Sequence, residues 1–176
     1  GHAAAESASE GIRATFSPMI DVSRDPRWGR IMESFGEDPF LNGVMGTAML
    51  RGYQGEEGKD PAGNKKIPES GIAGCLKHFA GYGAVNAGRE YNDVEISHRT
   101  FREQYLKPFR MAMHADPAMV MTAFNAVDRR PVSGNKELLE GTLREEMGFS
   151  GTVISDWGSI GQLEEQNVVS SQKEAA

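Results

Sequence analysis

The fold is decided by the stretch Thr152-Val153-Ile154-Ser155-Asp156-Trp157, a short apolar run that ends in a carboxylate and an indole. Its two adjacent β-branched residues predict a buried strand, and Gly151 and Gly158 bound it with turns. Asp156 then stands at the C-terminal tip of the strand, where α/β barrels and doubly wound sheets carry their functional groups. An Asp there could equally cap the next helix, so the hexapeptide alone leaves both interpretations open.

The composition is that of a globular domain. Of the 176 residues, 39% are hydrophobic and 25% are charged, which excludes a disordered chain. The net charge of −6 argues against nucleic acid or an anionic membrane as a partner, and no run of 18 apolar residues could span a bilayer. The chain starts in what resembles the middle of a helix, without a visible signal peptide, so we expect the native N-terminus to lie upstream.

Helical and strand patterns alternate along the chain. Helices are indicated over 3–10, 39–53, 97–113, 135–147 and from about 160, and strands over 14–22, 72–79, 119–121 and 152–154. Pro18 should bend the first strand and Pro108 should kink the third helix. The polar segment 54–70 is typical of a surface loop. This alternation predicts an α/β fold with a parallel sheet and right-handed crossovers.

Polar side chains follow each of the four predicted strands. They are Arg24 to Arg30, Lys77-His78, Thr122 to Asn125 and Asp156-Trp157. The carboxyl ends of parallel strands meet on one face of a sheet, so we expect these groups to converge. One carboxylate, several cationic donors and aromatic surfaces fit a neutral polyhydroxylated ligand, because hydroxyls need directional partners and sugar rings need flat apolar ones.

Other chemistries are poorly supported by the sequence. The four histidines (His2, His78, His98 and His114) show no metal-ligand spacing. No phosphate-binding glycine loop, dinucleotide fingerprint or nucleophile elbow is present. We therefore expect neither a metal nor a cofactor, and Cys75, the single cysteine, is expected to be a small buried hydrophobic residue.

Each candidate residue also has a purely structural interpretation. Lys77 could be a solvated lysine at a strand end, and His78 a hydrogen-bonded core histidine. Arg30 could pair with Glu33 or Glu37 at the surface and contribute little to stability. The two tryptophans, Trp28 and Trp157, could pack against the protein rather than stack on a sugar.

Several blocks of the sequence are similar to glycoside hydrolase family three, most closely to its bacterial β-glucosidases. The blocks are Phe16 to Val22, Arg24 to Arg30, Glu33 to Pro39, Lys77 to Gly83 and Val153 to Trp157. They occur in the family's order and together cover most of residues 10 to 163. The resemblance implies a partial (β/α)8 TIM-like barrel in which residues 1–176 form about four successive βα units of the N-terminal catalytic domain.

The resemblance also implies roles for individual residues. Asp156 matches the nucleophile, which forms a glycosyl-enzyme intermediate and gives retention. Arg30, Lys77 and His78 match residues that hold hydroxyls of the non-reducing-end sugar, and the Lys-His peptide is often cis.

Three apolar positions complete the sugar pocket implied by the resemblance. Met121 and Phe124 match its lining, and Trp157 matches an aromatic residue of the glucose subsite. Tyrosine is common where this chain has Phe124, so a hydroxyl would be lost there.

Two functional residues of the family pattern have no counterpart in this chain. The acid/base glutamate of the family falls beyond residue 176, and another sugar-binding Asp falls before residue 1. We therefore expect this chain alone to be inactive, and the open edges of a partial barrel to favour oligomers.

The leading functional hypothesis is hydrolysis of terminal non-reducing β-D-glucosyl residues from β-glucosides and cello-oligosaccharides by the complete enzyme. The alternatives are a β-xylosidase or other exo-β-glycosidase of the same family, or a non-catalytic carbohydrate-binding fragment. A hexosaminidase is disfavoured because that branch of the family usually carries a K-H-F-P-G-H-G type block, whereas this chain reads Lys77-His78-Phe79-Ala80-Gly81-Tyr82-Gly83. By resemblance, the expected location is periplasmic or extracellular.

Overall fold

The centre of the molecule is a parallel sheet. The computed structural model describes residues 1–55, 58 and 66–176. Its principal strands are β1 (Cys75–Phe79), β3 (Met119–Thr122) and β6 (Thr152–Ile154), in the order β1-β3-β6. Leu76 pairs with Val120, which pairs with Val153, and both pairings are parallel. The predicted α/β class with a parallel sheet is confirmed, and the described strands do not close into a barrel.

The prediction of a continuous strand over residues 14–22 is wrong. Residues 14–22 run beside β1 and the residues just before it. Among the described residues, their only strand-like pairing is two isolated parallel bridges, Ala14 with Ala73 and Met19 with Lys77. Pro18 lies between the two bridges and follows a cis peptide bond. Proline has no N–H to donate to a ladder, so the pairing is interrupted there. The Ile20 N–H still donates to the Lys77 carbonyl at 2.8 Å, which holds the following residues at the end of β1.

The helices begin close to where the sequence predicts them. They are α1 (His2–Ser9), α2 (Pro39–Gln54), α3 (His98–Thr100), α4 (Lys107–Ala112), α5 (Gln162–Glu165) and α6 (Gln172–Ala175). Asp38 caps α2 by accepting from the Phe40 and Leu41 amides, and Ser97 caps α3 by accepting from the Thr100 amide.

Two predicted helices are more irregular than their apolar spacing indicates. The helix from Ser97 consists of α3, a π-helical segment (Phe101–Tyr105) and α4, with Pro108 in the first turn of α4. The helix after Asn135 is π-helical over Glu137–Glu146 and ends before Gly148, whose φ is +71°. The predicted loop 54–70 falls largely outside the described residues.

A second, smaller sheet was not predicted. It joins β2 (Asp93–Val94), β4 (Ala126–Val127) and β5 (Arg130–Pro131) in the order β2-β4-β5. β4 and β5 form a hairpin whose two turn residues, Asp128 and Arg129, have positive φ. Strands of two residues are too short to show an alternating pattern.

The N-terminal ends of β1 and β3 are held to α2 by one buried side-chain amide. The Gln54 side chain is fully buried. Its Oε1 accepts from the Gly74 and Ala118 amides at 3.3 and 2.8 Å, and its Nε2 donates to the Asp116 carbonyl at 3.0 Å. These bonds fix the first residues of both strands. They therefore also fix the position of the side chains at the C-terminal ends of the strands. Among the described residues, the helices are too short or too polar to cross a membrane.

Candidate active site

Three segments converge where the parallel strands end. The extended segment beside β1 supplies Asp21, β1 itself supplies His78, and the chain after β6 supplies Asp156. The His78 ring lies between the two carboxylates, with Nδ1 2.8 Å from Asp21 Oδ2 and Nε2 3.4 Å from Asp156 Oδ2. The predicted convergence of strand-end groups is thus present for His78 and Asp156. Asp21 was not among the predicted site residues.

Asp21 fixes the orientation of His78. Both residues are buried, and Asp21 Oδ2 accepts from the His78 backbone N–H at 3.0 Å as well as from Nδ1. Because Nδ1 donates to Asp21, the Nε2 lone pair is directed at the opposite side of the ring. Arg30 Nη1 lies 3.2 Å from Nε2, and a guanidinium can only donate. The contacts therefore favour the neutral tautomer with its proton on Nδ1.

Glu33 organises the cationic side of the site. Arg30 Nε and Nη2 donate to its two carboxylate oxygens at 2.7 and 2.8 Å, a bidentate geometry. These bonds hold the pKa of the Glu33 carboxyl below its ordinary value and raise the pKa of Arg30. Lys77 Nζ lies 3.9 Å from Glu33 Oε2. The pairing of Arg30 with Glu33 foreseen as a surface contact is present, but it also places the remaining guanidinium nitrogen against His78.

Asp156 has one oxygen fixed and one free. The Trp157 N–H donates to Oδ1 at 2.7 Å. Oδ2 is buried and has no hydrogen-bond partner among the described residues. Since neutral His78 presents a lone pair to it, Oδ2 keeps its own lone pairs available for an incoming group. A buried carboxylate oxygen without a donor is costly unless a ligand or reaction uses it.

Aromatic side chains form the wall beside His78. The Tyr82 ring makes edge-to-face contacts with His78, Trp28 and Phe124 at centroid distances of 5.2, 5.3 and 5.9 Å. Its hydroxyl donates to Glu90, and burial together with this bond raises the pKa of Tyr82. Trp28 is 1% exposed, so it packs behind the site and its interpretation as a sugar-stacking surface is wrong.

The loop after β1 approaches the loop after Val22 too closely for side chains. A Cβ on Gly83 would lie 2.2 Å from the Val22 carbonyl oxygen, and one on Gly88 would lie 2.6 Å from the Trp28 amide nitrogen. Gly88 also has a φ of +67°. These two glycines allow the segments that carry Asp21 and Arg30 to close over β1.

The set of groups suits a hydroxylated ligand better than a metal. Within the described parts of the chain, no three His, Cys, Asp or Glu side chains are arranged to hold a metal ion. Burial raises the pKa of the Cys75 thiol to about 12, so it is not a reactive thiolate at neutral pH. Arg30 and Lys77 can donate to hydroxyl oxygens, and His78 Nε2 can accept from a hydroxyl.

Comparison with known proteins decides the family. The model of the glycosyl hydrolase family 3 N-terminal domain matches residues 1–176. The chain belongs to glycosyl hydrolase family 3. It is 39% identical over 170 residues to a periplasmic β-glucosidase of Salmonella typhimurium, covering 97% of this chain and 21% of that protein. It is 38% identical over 173 residues to a putative β-xylosidase of Formosa agariphila, covering 97% and 22%.

Solved structures of the family share the fold. A crystal structure of β-glucosidase from Listeria innocua in complex with glucose superposes with a TM-score of 0.90 at 46% identity, over 98% of this chain and 23% of that one. The family 3 chain described here thus spans about a fifth to a quarter of the length of these relatives.

Most of the residues implied by the family pattern lie together. Arg30, Lys77, His78 and Asp156 form one connected cluster, and the Lys77–His78 peptide is cis, as the resemblance implies. Phe124 reaches that cluster through Tyr82.

The two remaining pocket candidates differ in their exposure to solvent. Met121 is buried on β3, where it pairs with Ile154. Trp157 is 91% exposed, and its backbone N–H donates to Asp156 Oδ1.

Two charged residues were missed. Asp21 follows the apolar pair Met19-Ile20, as Asp156 follows the apolar run that ends at Ile154, and this signal could have found it. Glu33 lies three residues after Arg30. It was considered only as a surface partner, because a separation of three does not reveal contact with Lys77.

We predict that Asp21→Ala lowers the free energy of unfolding by roughly 3 kcal/mol, because it leaves two buried donors of His78 without their charged acceptor. Asp25→Ala, which breaks an exposed ion pair with Arg27 in the same loop, should leave the unfolding midpoint near wild type. Urea unfolding followed by tryptophan fluorescence compares the two variants. Equal midpoints would contradict the role given to Asp21.

Proposed function

We propose that the complete protein containing this chain is a retaining exo-β-glycosidase. It removes the terminal non-reducing β-D-glucosyl residue from β-glucosides and cello-oligosaccharides. The observation that carries the proposal is Asp156 Oδ2, a buried oxygen that has no hydrogen-bond donor among the described residues and lies 3.4 Å from His78 Nε2. The β-glucosidases of Salmonella and Listeria among its relatives support the same substrate class.

The proposed reaction is a double displacement. Asp156 Oδ2 attacks the anomeric carbon, the glycosidic bond breaks, and the leaving oxygen takes a proton from a carboxylic acid. Water then attacks the glycosyl ester on Asp156, the same acid group accepts its proton, and glucose leaves with its configuration retained. Neutral His78 has no proton on Nε2 to donate to Asp156, so Asp156 Oδ2 is left without a hydrogen bond from this ring and is available for attack.

We propose that the acid group lies outside residues 1–176, in a part of the polypeptide that follows this chain. Residues 1–176 would be one part of a (β/α)8-type catalytic domain, which the remaining polypeptide completes. The coverage of only 21–23% of the relatives supports this arrangement.

The sugar would be held by the groups around His78. Lys77 Nζ and the Arg30 guanidinium donate to ring hydroxyls, and His78 Nε2 accepts from one of them once the sugar displaces part of its contact with Arg30. Met121 and Phe124 supply apolar wall, and Trp157 supplies an exposed indole face at the glucose subsite.

A second candidate is a β-xylosidase. The relative from Formosa agariphila carries that name at almost the same identity as the glucosidase from Salmonella. A xyloside lacks the hydroxymethyl group of a glucoside, so comparing kcat/KM for aryl β-glucosides and β-xylosides separates the two.

The location and assembly are further proposals. The name of the Salmonella relative supports a periplasmic protein. Association of two or more copies would cover the open sheet edges if residues 1–176 were produced alone.

We expect Asp156→Asn to lower turnover by several orders of magnitude in the full-length protein, because the amide cannot form the covalent intermediate. Peptide mass spectrometry after reaction with a 2-fluoro glucoside should find the sugar on Asp156. Asp128→Asn is the matched control, since Asp128 is exposed and its left-handed φ suits asparagine. A label on another carboxylate, or near-normal turnover of Asp156→Asn, would refute the assignment.

Lys77→Ala should reduce kcat/KM roughly 10- to 150-fold, which corresponds to one lost charged hydrogen bond of about 1.5–3 kcal/mol. His78→Ala should reduce it roughly 2- to 13-fold, because the bond lost by a neutral imidazole is worth about 0.5–1.5 kcal/mol. The pH optimum should stay where it is, because neither residue is proposed to transfer a proton. Lys136→Ala and His114→Ala, both at exposed positions, serve as controls. A shifted optimum, with the rate restored by added imidazole, would assign acid/base work to the mutated residue.

Residues 1–176 alone should not hydrolyse cellobiose at a measurable rate, because the proposed proton donor is absent from them. An aryl glucoside with an activated leaving group needs less protonation and is the one substrate that could show a trace of turnover. Light scattering on the same sample should find oligomers. A compact monomer with ordinary glucosidase turnover would overturn both the domain boundary and the placement of the acid.

A further inference from the structure

The strand pairing of β6 ends two residues before Asp156, the residue whose position the proposed reaction depends on. β6 pairs with β3 only as far as Ile154, opposite Met121. Its other edge has no strand partner among the described residues. Beyond Ile154 the chain is partly or largely exposed until Ser159, which is only 3% exposed, and Gly158 within it has a φ of +70°. Pairing in the sheet therefore fixes only the near end of this loop.

A chain of three hydroxyls fixes the far end. Ser159 Oγ lies 3.0 Å from Ser133 Oγ, which lies 2.9 Å from Thr122 Oγ1. Thr122 is the last residue of β3 and, like Ser159, is 3% exposed, whereas Ser133 is half-buried. The chain thus connects the loop after β6 to the tip of the neighbouring strand, through the short helical turn Val132–Gly134.

The same loop is closed by a backbone hydrogen bond. The Ser159 N–H donates to the Asp156 carbonyl at 3.1 Å. A displacement of Ser159 is therefore transmitted to the backbone of Asp156 across this one turn. Asp156 Oδ2 lies 3.4 Å from His78 Nε2 and must meet an anomeric carbon from that position, so a shift of the turn moves the attacking oxygen directly.

We infer that Thr122, Ser133 and Ser159 are positioning residues, whose hydroxyl chain holds the Asp156 loop at the geometry needed for attack. The inference rests on the proposed function, since it concerns the same nucleophile. The competing explanation is that the three hydroxyls merely satisfy one another in a packed region. That explanation predicts a loss of stability alone, whereas a positioning role predicts a loss in the chemical step.

The test compares Ser133→Ala and Thr122→Val in the full-length protein. Ser133→Ala removes the central hydroxyl, and Thr122→Val removes the terminal one while keeping the side-chain shape. Each should lower kcat for an aryl β-glucoside roughly 10- to 100-fold with little change in KM, as expected for a small misplacement of a reacting group. The double variant should be about as slow as the slower single variant, because both substitutions break the same chain.

Two controls separate positioning from general damage. Ser133→Thr restores a hydroxyl and should recover most of kcat. Ser150→Ala makes the same chemical change at an exposed serine just before β6 and should behave as wild type. Hydrogen exchange followed by mass spectrometry provides a readout that is independent of turnover: the amides of residues 156–159 should exchange faster in Ser133→Ala, with the amides of β1 unchanged.

The outcomes are distinguishable from failure of the proposed function. If the wild type is labelled on Asp156 but Ser133→Ala retains wild-type kcat and exchange, the positioning role is refuted while the function stands. The same holds if Ser133→Thr is as slow as Ser133→Ala. If the wild type turns over no β-glycoside, or keeps its turnover in Asp156→Asn, the proposed function fails and the inference fails with it.

Discussion

The site depends on the buried pair formed by Asp21 and His78. Two hydrogen bonds to one carboxylate oxygen, from the backbone and from Nδ1, fix both the position and the tautomer of the imidazole. The ring then presents a lone pair, not a proton, to Arg30 and Asp156. With the opposite tautomer, Nε2–H would donate to Asp156, and the nucleophile would be occupied by the protein itself.

Around this pair the charges are arranged so that each carboxylate has a different task. Asp21 Oδ2 accepts two hydrogen bonds from His78, and both Glu33 carboxylate oxygens accept from Arg30, with Lys77 Nζ 3.9 Å from Glu33 Oε2. Of these three carboxylates, Asp156 alone has a buried oxygen without a donor among the described residues. The contrast arises from local geometry, since all three carboxylates lie within one connected cluster, and it explains why only one of them is suited to attack a carbon atom. The neighbouring contacts leave Asp156 Oδ2 free to react, and in our inference the hydroxyl chain through Ser133 holds the Asp156 loop in position.

Sequence reasoning succeeded where a local rule decides the structure. The helix starts near residues 39 and 97, the helix end near residue 147 and the apolar strand before Asp156 each depend on a few neighbouring residues. It failed where the decisive contact lies far away in the chain. The hairpin at Asp128 and Arg129 had strands too short to show a pattern, and the widened helical turns of Glu137–Glu146 share their apolar spacing with an ordinary helix. Asp21 was missed because its partner is 57 residues away, although its place after Met19-Ile20 repeats the signal that identified Asp156.

The most direct measurement is a crystal structure of the full-length protein trapped with a 2-deoxy-2-fluoro-β-glucoside. The account predicts a covalent bond between the anomeric carbon and Asp156 Oδ2, with Lys77 Nζ and His78 Nε2 each about 3 Å from a sugar hydroxyl. His78 should still donate from Nδ1 to Asp21. A sugar bonded to a different carboxylate, or one bound without contact to Lys77 and His78, would contradict it.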